Sequence, residues 1–411
     1  EPPHCHTGTP HAAAAWQLPP AAAQACAANI TALSLCSQVA SALDRVRSAT
    51  SYAECSIALG SLQLLAATRQ GAAALALSDW QGALGTLLSS SPATLEDHAL
   101  WCMLLPLVRR MLTAGVLTPP QLLHLALCLQ QSAVPLLEEP NAAMAPVPMP
   151  VALAGSPMAD QGADSDAGHR LQVVTTAQHV LRTLCALLRC SRTRHNVHTT
   201  LRIAHALSLP RLLHTLCAGF VRAPEGASYG CRVLAVGVVG EVLAVLKGRQ
   251  LAEDGAESPP LAPGMEDALL LCLTSLLTEV VHSRHTAAPT RFVQQAASQG
   301  GTAAAAGVAA AVAAGFRGKG LVHAALPCLI HLTRLLPMVQ WSVVWQQSSG
   351  VFWLSRIARD RDARLRASAY RLLACLMRPG AYHTHRMLAH AWPDVASRAL
   401  QVLFGRGASM G

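Results

Sequence analysis

The chain is 411 residues long, 52% hydrophobic, 13% charged and 4% aromatic, with a formal net charge of +9 at pH 7. That is ample apolar material for a core, and its alanine and leucine bias suits close-packed helices while suiting large aromatic-anchored sheets poorly. The 13 cysteines are odd in number and scattered, which argues against a secreted disulfide framework and for a reducing, cytoplasmic compartment.

A chain of this length accommodates two or three ordinary domains or one long solenoid. Residues 1–20 are rich in proline and histidine and read as a disordered lead-in; opening on Glu1 rather than Met, the sequence reads as a piece of a longer protein. Segments near 21–47, 51–69, 71–90, 93–114 and 119–137 then carry apolar residues three and four apart, the spacing of amphipathic helices. Thr94 ahead of Glu96 and Asp97 marks a helix start with negative charge at the positive end of the dipole, and Thr118 before Pro119 marks another. These make an N-terminal block of helical repeats over 21–139.

The pattern fails over 140–168, where proline, glycine and small residues read as a flexible linker. Helical periodicity returns over 169–284, at about 170–190, 196–207, 209–222, 228–247 and 265–284, with a break from Gly248 to Gly264. Residues 285–319 form an alanine- and glycine-rich insertion, 320–404 a C-terminal block of four to six helices, and 405–411 a tail. No strand-like alternation of any length intervenes. The fold expected is all-α: an α-solenoid of stacked helix pairs with long disordered insertions.

Charge is unevenly placed. From Ala167 to Pro224 there is no acid, while Arg170, Arg182, Arg189, Arg192, Arg194, Arg202, Arg211 and Arg222 supply positive charge. A second acid-free run extends from Val280 to Arg359. Such a surface suits acidic protein tails or nucleic acid, and the side chains expected to carry it are Arg182, Arg189, Arg192, Arg194, Arg202 and Arg211. A compositional bias also accounts for it, since lysine occurs only at 247 and 319 and arginine carries the rest. No run approaches the roughly 18 to 20 uncharged apolar residues of a membrane span. Residues 303–316 are too short, and Glu241 interrupts the apolar stretch around it.

Chemical motifs are weak. Gly226 to Gly230 matches the Gly-x-Ser-x-Gly elbow with Ser228 as nucleophile, but that elbow needs a strand before it, and the preceding residues, with Pro224 and Glu225, read as a loop. Cys185, Cys190, His195 and His198 fit no common zinc spacing, because residues five apart on a helix diverge by about 140°. His4, Cys5, His6 and His11 lie in the lead-in, and His383, His385 and His390 read as surface or cap histidines. No phosphate loop is present: residues 315–320 lack the spacing and the hydroxyl after lysine. No enzyme, cofactor, metal or small-molecule substrate is expected.

The most informative stretch is 353–377, where a helical pattern is cut by Asp360-Arg361-Asp362 and resumes at once. On a helical wheel Leu365, Ala369, Leu372, Leu373 and Leu376 share one arc, and Arg364, Ser368 and Arg371 lie opposite. Arg366 breaks the rule by projecting from the apolar arc, where a charge is costly unless partnered. The stretch resembles the HEAT/armadillo repeat family, in which a turn aspartate is followed six residues on by an arginine after an aliphatic residue. Asp360, Leu365 and Arg366 stand at those positions; Phe352 stands where the family has a proline. The resemblance implies a ladder in which aspartate and arginine tie neighbouring repeats together. With Trp341, Trp345, Gly350, Trp353, Leu354, Ala369 and Tyr370 it extends to armadillo-like scaffolds of centrioles and basal bodies. It implies a cytoplasmic scaffold that binds protein partners and has no catalytic site. Trp345 and Trp353 are expected as core anchors between helices.

Overall fold

The computed structural model describes residues 20–138, 161–222, 229–252, 264–282, 320–347 and 350–377. Helix starts within them are set by short polar side chains that satisfy the first free amides. Ser51 accepts from the Glu54 amide at 3.3 Å, Thr68 from Gly71 at 3.0 Å, and Asn196 from Thr199 at 2.8 Å. Thr94 and Asp97 form a reciprocal capping box: the Thr94 hydroxyl accepts from the Asp97 amide at 3.1 Å, and the Asp97 carboxylate accepts from the Thr94 amide at 2.9 Å. Those amide bonds, the Thr94 backbone bond foremost, hold the Asp97 carboxyl below the usual carboxylate range. At the Thr118–Pro119 start, Gln121 Oε1 accepts from the Thr118 amide at 2.9 Å.

Every regular element among the described residues is a helix. In chain order they are α1 (Pro20–Ser48), α2 (Tyr52–Leu65), α3 (Arg69–Leu77), α4 (Gln81–Ser89), α5 (Leu95–Ala114) and α6 (Pro119–Glu138). Next come α7 (Gln161–Arg194), α8 (Val197–Ala206), α9 (Leu209–Leu216) and α10 (Tyr229–Ala252). The last five are α11 (Met265–Ser275), α12 (Gly320–Leu335), α13 (Met338–Gln347), α14 (Gly350–Ala358) and α15 (Ala363–Leu376).

Packing partners follow one another in two series. In the first, α2 packs on α5, α5 on α7, and α7 on α10. Helix α12 joins α10 through Cys328, whose thiol reaches the Val236 carbonyl at 3.5 Å. In the second, α4 packs on α6, α6 on α8 and α9, α9 on α11, and α11 on α13. Cross-contacts such as α3 on α5, α6 on α7 and α9 on α10 bind the two series together. A continuous apolar core runs between them, from Val39 in α1 to Leu376 in α15. Each fully buried leucine contributes about 1.5 to 3 kcal/mol.

Cysteines fill small gaps in this core. Cys128, Cys217, Cys272 and Cys328 are buried, while Cys102, Cys185 and Cys375 are half-buried. Burial pushes the Cys328 thiol up to about 12, so it is an inert core group. Trp341, Trp345 and Trp353 are also buried; the Trp345 and Trp353 rings meet edge to face at 5.0 Å, and Trp341 Nε1 donates to the Leu332 carbonyl at 3.1 Å.

Several expected boundaries shift. The single helix expected over 71–90 is two, α3 and α4, broken at Ser78–Trp80. Arg47 of α1 bonds to the break, its Nη2 donating to the Asp79 carbonyl at 2.6 Å and the Asp79 carboxylate at 2.7 Å, while Trp80 turns fully into the core. Residues 161–168, expected in the linker, belong to the first turns of α7, and α10 runs on through Gly248 to Ala252. Helices α9 and α11 end in wider π-helical turns, Cys217–Val221 and Leu276–His282. The insertion at 285–319 and the segment 378–411 lie outside the described residues.

Helix α10 holds a long apolar stretch interrupted by charge. Tyr229–Gly248 is long and apolar enough to cross a membrane by length and composition, with a mean hydropathy of 1.8, and 56% of it is buried inside the fold. Its three charged residues are Arg232, Glu241 and Lys247. Arg232 Nη2 donates to the Val221 carbonyl at 2.9 Å, and Glu241 receives two arginines from α7.

Candidate protein-binding groove

The six arginines expected to form a basic surface are all exposed, yet they do different things. Arg189 and Arg192 lie one turn apart on α7 and converge on Glu241 of α10, at 2.8 and 3.1 Å. The Glu241 side chain is 11% exposed, against 63% and 41% for the two arginines. The acid that neutralises them therefore arrives from outside the acid-free span, by way of the α7–α10 packing. Hydrogen bonding to Glu241 raises the already high Arg189 pKa further. Arg211 of α9 clamps Glu138 at the end of α6 with two bonds of 2.6 Å, and those bonds hold the Glu138 carboxyl below its usual range.

Arg194 caps another helix. Its Nη2 donates to the Thr113 carbonyl at 3.2 Å, in the last turn of α5, where a cation is favoured by the helix dipole. The chain leaves α5 through Gly115 at φ 74°, and the Arg194 guanidinium occupies the space a β-carbon there would need. Arg182 stands beside Arg109 and His179. Arg109 Nη2 lies 3.0 Å from His179 Nδ1. Burial, followed by the Arg109 and Arg182 charges, pushes His179 down to about 4, so its ring is neutral and accepts the bond.

Arg202 is left. It makes no hydrogen bond or ion pair among the described residues, and it stands on α8 with His198 one turn before it and His205 one turn after. That i, i+4, i+7 row puts three exposed nitrogen-bearing side chains on one face. The opposite face of α8, with Thr200, Ile203 and Ala204, is buried. The helix carries no acid.

Beside Arg202 a groove of about 320 Å³ opens between α8 and the first turns of α6. One wall is Pro119, Pro120, Leu123 and Leu127; Leu127 is 43% exposed. His124 also lines the groove, 3.6 Å from the Cys128 thiol and tilted against the buried Trp80 ring at 6.1 Å. Thr199, Arg202 and Ile203 form the facing wall. No carboxylate and no cysteine line it. The groove therefore offers apolar contact area and one guanidinium, a composition suited to recognition.

At the 360s turn, Leu365 is fully buried and Arg366 half-buried. Arg366 Nη1 donates to the carbonyls of Asp360 and Arg361, both at 2.8 Å. Asp360 Oδ1 accepts from the Asp362 amide at 2.8 Å, folding the turn on itself. The longer tie comes from Asp362, which caps α15 through the Arg364 amide and meets His323 Nε2 of α12 at 2.8 Å. The His323 bond is the largest cause holding the Asp362 carboxyl low. The sequence reading singled out Asp360 and passed over Asp362, although an aspartate directly before a helix is a readable cap signal.

Ser228 lies outside the described residues, as do residues 223–227 before it; the described residues upstream, Cys217–Val221, form the π-helical turn. Among the described residues no group of three or more His, Cys, Asp or Glu side chains is placed to hold a metal ion. His4, Cys5, His6, His11, His383, His385 and His390 also lie outside them. No protein-family model and no curated protein matches this chain.

Proposed function

We propose that this chain is a non-enzymatic α-solenoid scaffold that binds protein partners, working in the cytoplasm at the centriole or basal body. The observation that carries the scaffold reading is the double series of packing, α2–α5–α7–α10 beside α4–α6–α9–α11, in which each helix shields apolar surface by leaning on the next. A scaffold of this kind acts by shape, presenting a long surface on which several partners assemble. The centriolar part rests on the resemblance of residues 341–377 to a HEAT/armadillo unit, and specifically to the rotatin type of armadillo-like scaffold. Location tests it. The full-length chain with a fluorescent tag, expressed in ciliated cells, is expected to coincide with a centriole marker; uniform cytoplasmic fluorescence overturns the centriolar assignment.

A second reading, a nucleic-acid or acidic-tail binder, draws on the acid-free arginine span. The pairing of Arg189, Arg192 and Arg211 with carboxylates weighs against a continuous phosphate track. Binding of single-stranded RNA that weakens steeply with salt would favour it; no binding at low salt removes it.

A further inference from the structure

The uncommitted arginine and the groove beside it belong together. Arg189, Arg192, Arg194 and Arg211 are tied to other parts of the fold, so Arg202 is the arginine of α8 and α9 still available to a partner. The groove beside it takes its accessible apolar surface from the α6 wall of Pro119, Pro120, Leu123 and Leu127. At about 320 Å³ it falls at the lower end of the roughly 300 to 1,000 Å³ of ordinary ligand pockets. We infer that the α6–α8 groove docks an acidic peptide segment, one of whose large apolar side chains packs on Pro120, Leu123 and Leu127 while a neighbouring carboxylate pairs with Arg202. The inference rests on the scaffold reading and names the partner chemistry of one site on it.

Charge and shape together choose the occupant. A planar guanidinium at the rim matches a carboxylate through two parallel hydrogen bonds. His198 and His205 flank Arg202 along α8 and add donors to a passing acidic chain. Nucleic acid fits worse. Its affinity comes from several cations meeting several phosphates, and here one arginine sits beside prolines and leucines that phosphates leave unused. An uncharged apolar peptide would leave Arg202 without a partner at the edge of the contact.

The test uses the whole chain, immobilised, and a random library of 12-residue peptides displayed on phage. Selection is run in parallel on the wild type and on two surface variants, Arg202→Glu and Leu127→Asp, each checked for an unchanged melting temperature. Peptides enriched on the wild type are expected to combine Asp or Glu with Leu, Ile, Phe or Met. The best of them, as a free fluorescent peptide, is expected to bind at least tenfold more weakly to each variant and to lose affinity with added salt. No enrichment, enrichment without acidic residues, or equal binding to the variants overturns the groove assignment. Displacement of the peptide by single-stranded RNA at equal concentration overturns it in favour of nucleic acid. Failure here with centriolar location intact would remove the groove and leave the scaffold; failure of location with the groove intact would remove the centriolar assignment and leave the groove.

Discussion

Arg192 and Arg202 lie ten residues apart in the same acid-free span, and the fold treats them oppositely. Arg192 shares the nearly buried Glu241 with Arg189 and pins α7 to α10. Arg202 stands on α8 at the edge of an apolar groove with no ion pair among the described residues. A charge run in one dimension is therefore not a charge patch in three. The counter-ion of Arg189 and Arg192 is about fifty residues away in sequence and one helix away in space. Basic span and basic surface differ by whatever acids the packing brings in.

The contrast can be broken from its structural side first. Glu241→Ala leaves two like charges facing each other and a hole in the α7–α10 contact. Its expected cost is about 2 to 3 kcal/mol in a urea titration, between the roughly 0 to 1 of an exposed pair and the 3 to 5 of a fully buried one. Acid comes next. His179 is neutral in the fold down to about 4, while an unfolded-chain histidine takes its proton near 6.5. The fold is therefore expected to keep its full stability above pH 6.5 and lose part of it as pH falls from 6.5 toward 4. Allowing for a ring only partly shielded from solvent, the loss from this group is about 1 to 2 kcal/mol. His98 and His331, both lowered mainly by burial, act in the same direction. His179→Gln should flatten the pH dependence of the urea midpoint; an unchanged slope would contradict the assignment.

Gly115→Ala is expected to cost about 1 to 2 kcal/mol, because a β-carbon at positive φ is strained and displaces Arg194 from the end of α5. Arg366→Ala removes two charge-assisted bonds to carbonyls and should cost about 1 to 2 kcal/mol, more than Arg364→Ala on the exposed face. Equal melting temperatures for those two variants would count against a structural role for the turn. Smallest is Arg202→Ala, expected within about 0.5 kcal/mol of wild type, since nothing in the fold depends on it.

Much of the helix pattern was legible in the sequence, because caps are local chemistry. Thr94 with Asp97, and Thr118 with Pro119, mark α5 and α6 within a residue or two. The break between α3 and α4 was missed, and the Arg47 bonds to it come from thirty-two residues earlier. Missed too were the partners of Glu241, two arginines on α7 about fifty residues earlier in the chain. The site divides the same way. The His198–Arg202–His205 row can be read from helical spacing alone, but the groove needs α6 laid beside α8, and only tertiary packing supplies that wall.

The division between structural and free arginines is tested most directly by double-mutant cycles on unfolding free energy. Glu241→Ala combined with Arg189→Ala and Arg192→Ala is expected to show a coupling of about 1 to 2 kcal/mol, and Glu241→Ala combined with Arg202→Ala none. Additive effects in the first cycle, or equal coupling in both, would mean that α7 and α10 do not meet through Glu241, and the split of the basic span would fall with it.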